Sequence, residues 1–104
     1  VAMVNAATGW ELSEQDPNRI TLRIDNVFRA FNIRHGLTPA VELPSPRWGS
    51  AQIDGPLKAK SIMPYWNQIL DEYYKKMGWD RISGKPLPQT LKNLDLDYIV
   101  DDLW

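Results

Sequence analysis

Cysteine is absent from the 104 residues. That absence excludes a disulfide framework, thiolate nucleophiles, and iron–sulfur or zinc sites built on sulfur from within the chain. Histidine occurs once, at His35, so no imidazole pair can hold a metal or run acid–base chemistry. Neither sign of charge dominates: 12 Lys and Arg stand against 13 Asp and Glu, for a net charge of −1. Such a balance gives no field to steer nucleic acid or an anionic membrane. No apolar run approaches the ~20 residues needed to cross a bilayer, and the opening Val1-Ala2-Met3-Val4 is too short for the apolar h-region of a signal. The expectation is a soluble, cytoplasmic protein with no nucleic-acid or membrane partner. GxGxxG, P-loop, HExxH and GxSxG motifs are missing as well, so no residue is assigned to catalysis, to cofactor binding or to a metal.

What is present is bulky and punctuated. The length suits one domain, which would bury about two-thirds of the surface its unfolded chain exposes. Yet there are 5 Trp and 4 Tyr, large rings that need cover, and the chain opens on Val1 inside an apolar stretch. Both features read as a piece of something larger.

Along the chain, Val1 to Thr8 reads as the tail of a helix begun upstream, stopped at Gly9. Ser13 is the expected cap of a long helix over 14–35, with acids in its first turn and Pro17 early enough to cost no hydrogen bond. Ile20, Ile24, Val27, Phe28 and Phe31 recur at the spacing of one helical face, whereas Leu22 and Ile33 project away from it together. Pro39, Pro44, Pro46, Gly49, Gly55 and Pro56 then break every period, giving a long connector over 37–63 that wraps a neighbouring surface. Pro64 opens a second helix over 64–77, with Tyr65, Ile69, Tyr73 and Met77 on one face, Trp66 and Leu70 widening it, and Gly78 as the stop. Short helical turns carrying Leu91 and Leu94 fill 88–104. The fold class is therefore all-α: two main helices, a Pro/Gly connector and short C-terminal helices, as a fragment of a larger helical domain. The stripe Ile20, Ile24, Phe28 and Phe31 is expected to pack on Ile69, Leu70 and Tyr73, leaving Leu22 and Ile33 for a second copy, so that the fragment self-associates.

Few side chains invite chemistry. His35 ends the long helix and reads as a cap or packing residue. Asp95, Asp97, Asp101 and Asp102 could attract a divalent cation but lack the Gly-punctuated spacing of an ion-wrapping loop, and read as a solvated tail. Arg19, Arg23, Arg29 and Arg34 stud the long helix, where Asp25 and Arg29 are spaced for an i,i+4 pair and Arg34 with Asn32 could bridge to another domain.

Two segments carry a specific resemblance. Asn5-Ala6-Ala7-Thr8-Gly9-Trp10, Arg19-Ile20 and the run from Asn26 to Gly36 resemble the late part of the tungsten-containing aldehyde ferredoxin oxidoreductase family, which has an Ala-Thr-Gly turn, an Arg-Ile, and a helix ending Arg-x-Phe-Asn-x-Arg-Glu-Gly. Leu70 to Asp80, the Gly84, Pro86 and Pro88 turn, and Leu91-Lys92-Asn93-Leu94-Asp95-Leu96 are similar to the family's closing segment, in the same order. His35, Met77 and Asp95 stand where the family usually has Glu, often Arg, and usually Gly. Asp tolerates a left-handed turn better than most residues, so the last of these departures keeps the backbone option that a glycine would give.

The resemblance implies a parent with a tungsten-bispterin cofactor and a [4Fe-4S] cluster, whose ligands lie upstream of the matched stretch. The parent would oxidise aldehydes with ferredoxin as acceptor, or reduce an aromatic acyl-CoA. This fragment would bind no cofactor and would not be active alone; its partners are the parent's upstream domains. The competing reading is a free-standing helical protein-interaction module without catalysis.

Overall fold

The computed structural model describes residues 1–104 and contains helices and turns, with no strand. Helix α1 spans Ala2–Thr8 and stops at Gly9, whose φ of 72° is the left-handed cap expected there. The long helix α2 spans Asp16–Arg34. Its start departs from expectation, because Ser13 caps no backbone N–H of the helix; instead Asp16 Oδ2 accepts from the Ser13 N–H at 2.6 Å and from Ser13 Oγ at 2.7 Å. The carboxylate is the better acceptor, so the acid ties down the serine.

The connector holds a 3₁₀ turn at Pro39–Val41 and a one-turn helix, α3, at Pro46–Gly49. A 3₁₀ turn at Met63–Tyr65, opened by Pro64, leads into α4, Trp66–Met77, which ends on Gly78 at φ 67°. The last residues form α5 at Pro88–Asn93, a 3₁₀ turn at Asp97–Ile99 and α6 at Val100–Leu103. No helix is long and apolar enough to cross a membrane.

The core lies elsewhere than the apolar periodicity suggests. Its buried residues are Ala30 of α2 with Leu91, Leu94, Leu96, Ile99 and Leu103, and Leu22, Ile33 and Val100 pack against them. Phe28 is 63% exposed, Phe31 58%, and Ile20, Ile24 and Val27 are exposed as well. The expected packing of this stripe on Ile69, Leu70 and Tyr73 is therefore incorrect, since Ile69 and Tyr73 also face outward. So is the assignment of Leu22 and Ile33 to a second copy.

The physical reason lies in two interleaved stripes. Positions 20, 24, 27, 28 and 31 and positions 22, 26, 29, 30 and 33 share one spacing and are offset by two residues, about 200° around the helix. The first stripe is wholly apolar, and the second contains Asn26 and Arg29. Those two polar residues are nevertheless buried, at 0% and 5% exposure, and they disguise the inward side.

The C-terminal segment is fastened to α2 by arginines along one edge. Arg19 Nη1 donates to the Asn93 carbonyl at 2.8 Å and Arg19 Nη2 to Asp95 at 2.5 Å. Arg23 donates to the Leu94 carbonyl, and Arg34 reaches Asp102 at 3.2 Å. Asp95, at φ 55°, makes the left-handed turn between α5 and the 3₁₀ turn.

Candidate functional site

One polar cluster is buried, and it is centred on Arg29. Position 29 lies on the inward stripe of α2, so its guanidinium enters the space between α2, the connector and the turn after α4. Arg29 Nε donates to the Gly84 carbonyl at 2.8 Å, and Nη2 donates to Tyr74 Oη at 2.6 Å. Both terminal nitrogens grip the Glu42 carboxylate, which also accepts from the Tyr74 hydroxyl. The guanidinium carbon lies 4.3 Å from the Trp79 ring centroid, a cation–π contact. Trp79 Nε1 in turn donates to Asn26 Oδ1 at 2.9 Å, and Asn26 Nδ2 donates to the Leu22 carbonyl at 2.8 Å.

No buried side-chain polar atom is left without a partner. With Arg29 buried and Glu42 half-buried, the pair is stable only when its hydrogen-bonding capacity is met, and here the groups are committed to one another. The arrangement clamps Glu42 of the connector to α2 and α4. It leaves neither a free base nor a free nucleophile.

Gly84 is required by the same clamp. Its φ is 74°, and a Cβ there would lie 2.5 Å from Arg29 Nη2.

The residues singled out from sequence fall around this centre rather than in it. His35 is the C-terminal cap of α2; its Nδ1 lies 2.7 Å from the Phe31 carbonyl and its ring stacks on Phe31. Arg19, Arg23 and Arg34 hold the C-terminal segment, so Arg34 bridges to Asp102 of the same chain. The expected Asp25–Arg29 pair is not formed, because Arg29 turns inward to Glu42. Of the four C-terminal acids, Asp95 and Asp102 are paired with arginines, and no three His, Asp or Glu side chains come together where they could hold a metal ion.

Sequence pattern alone does not single out Glu42, Tyr74, Trp79 and Asn26 as a cluster. One signal was present: Glu42 is the only carboxylate between Asp25 and Asp54, set in a stretch otherwise short of charge.

Among the surface features are two clefts lined with large apolar side chains. The outward stripe of α2 borders a shallow groove of about 340 Å³ between Ile24, Val27, Phe28 and Tyr98. A larger cleft of about 510 Å³ lies within the connector, walled by Pro44, Trp48, Leu57, Lys60, Ile62 and Trp66.

Comparison with known proteins matches residues 1–96 to the family described as aldehyde ferredoxin oxidoreductase, domains 2 & 3. A tungsten-containing aldehyde ferredoxin oxidoreductase of Pyrococcus abyssi is 35% identical over 100 residues, covering 94% of this chain and 16% of the relative. The protein of the same name from Pyrococcus horikoshii is 36% identical over 97 residues, with 91% and 16% covered. That from Thermococcus kodakarensis is 38% identical over 79 residues, with 74% and 13% covered. The chain thus spans about a sixth of the length of these relatives. No solved structure gives a significant match.

Proposed function

Because the chain belongs to the aldehyde ferredoxin oxidoreductase family, we propose that it serves as a helical packing segment of a tungsten-dependent oxidoreductase that oxidises aldehydes and passes the electrons to ferredoxin. The observation that carries this reading is the outward stripe of α2. A run of Ile, Ile, Val, Phe and Phe along one exposed helical face is far more apolar than a solvated surface helix, and such patches mark contact sites. Most of the relatives' length lies outside the matched segment, and a neighbouring part of that enzyme is the natural cover for this face.

The residues present do not fit the redox groups of such an enzyme. A [4Fe-4S] cluster needs thiolates, which this chain lacks, and the single His is capped onto the Phe31 carbonyl. No chemical step is therefore assigned to this segment. Its contribution is mechanical: the Arg29–Glu42–Tyr74 clamp fixes the connector, the arginine edge fixes the C-terminal turns, and together they hold α2 with its apolar stripe outward.

Expression of the complete reading frame that contains this segment, under anaerobic conditions with tungstate, tests the proposal. Stoichiometric tungsten and iron with aldehyde-dependent reduction of ferredoxin is the expected result. A product without tungsten and without that activity would overturn it in favour of an interaction module.

A further inference from the structure

We propose that the connector builds a small-molecule site, in which the cleft bearing Trp48 and Trp66 takes a planar aromatic ligand that carries an anionic group, anchored by Lys60. The volume of about 510 Å³ is in the range of ligand pockets, and the walls of Pro44, Leu57, Ile62 and two indoles are those of a site for a flat apolar body.

Hydrogen bonds tie two of the lining residues, Trp66 and Ser61, to the rest of the fold. Trp66 Nε1 donates to the Glu42 carbonyl at 2.9 Å, and Glu42 is itself held by Arg29 and Tyr74. Ser61 Oγ donates to the Gly49 carbonyl at 2.6 Å, drawing the two ends of the cleft together. The intervening loop is closed by the Gln52 N–H on the Lys60 carbonyl at 3.1 Å and the Ala59 N–H on the Gln52 carbonyl at 2.8 Å. Ala59 adopts φ 62° in this loop.

The polar groups left over point to the ligand's charge. Lys60 makes no ion pair, and no carboxylate lines the cleft. The adjoining cleft beyond Trp48 carries one residue of each sign, Arg47 and Asp54, whereas Lys60 is the one charged residue lining this one. Trp48 is 75% exposed at the rim, an indole with a free face. A lysine lining an apolar cleft that also carries two indoles favours a ring with a carboxylate over a neutral or cationic ring.

The cleft is lined by residues of this chain alone and its test involves no tungsten, so the test is separate from that of the redox reading. The 104-residue chain is titrated with 2-naphthoate, with uncharged 2-naphthylmethanol as comparison, and the five indole N–H resonances are followed by NMR. Naphthoate should saturate with shifts confined to Trp48 and Trp66. Lys60→Gln should weaken naphthoate about tenfold and leave naphthylmethanol unchanged, as expected for loss of one charge-assisted contact. Trp48→Ala should remove both, with the circular dichroism of the helices intact. Absence of saturation at millimolar naphthoate, shifts centred on other indoles, or equal affinity for the two ligands would overturn the proposal.

Discussion

Removing the Arg29 guanidinium would leave the Glu42 carboxylate and the Tyr74 hydroxyl in a largely dry pocket without their cation. Breaking a buried pair in this way costs about 3 kcal/mol or more, so Arg29→Ala should lower stability by that order in urea melts. Asp25→Ala, which the sequence spacing makes the natural partner mutation, should change it by less than about 0.5 kcal/mol, because that pair is not formed. Equal losses would show that the pairing of Arg29 is misassigned. Sequence reveals that Arg29 sits on a helix; it does not reveal a partner 13 residues away in a connector without periodicity. A second residue-scale expectation concerns pH. Asp80 accepts from Ser83 Oγ at 2.6 Å and from the Ser83 N–H at 2.7 Å, and these bonds, the hydroxyl foremost, hold its carboxyl below its ordinary value of 3.8. Because the folded value is the lower one, the contribution of this turn is complete above 3.8 and is lost as pH falls through the folded value. Carboxyl NMR titration should show the Asp80 midpoint move up in Ser83→Ala; an unmoved midpoint would refute the attribution.

At the scale of elements, the helices themselves were legible. Gly9 and Gly78 stop α1 and α4 in left-handed conformations, as their positions announce, and Pro64 opens the turn into α4. What sequence could not rank was the two faces of α2, because the rule that apolar residues face inward assumes that the polar ones are solvated. Asn26 and Arg29 violate it by finding partners on Trp79, Glu42, Tyr74 and Gly84. The swap of faces has a measurable consequence. Leu91→Ala, at a fully buried site, should cost about 2–5 kcal/mol, whereas Phe28→Ala should cost about 1 kcal/mol or less. The opposite ranking in denaturant melts would return the apolar stripe to the core.

Across the whole molecule, the core is small and the outline open. Only 12 of 104 residues are buried, and the radius of gyration of 17.9 Å exceeds the ~13 Å of a compact domain this long. Buried residues are confined to α2, α4 and the segment that follows α4, and none lies in α1 or the connector. Family membership was legible in the order of short motifs, but the orientation of α2 within that family segment needed the structure. The outward stripe of α2 is exposed and is not a core face, and its proposed role is contact with a neighbour. Sedimentation velocity of the wild-type chain beside Phe28→Asp, at matched high concentration and with helix content checked, tests it most directly. The wild type should associate through this face, and Phe28→Asp should sediment as a monomer with its helices intact. A wild type that remains monomeric, or a Phe28→Asp chain that loses its helices, would show that the stripe is not a contact surface.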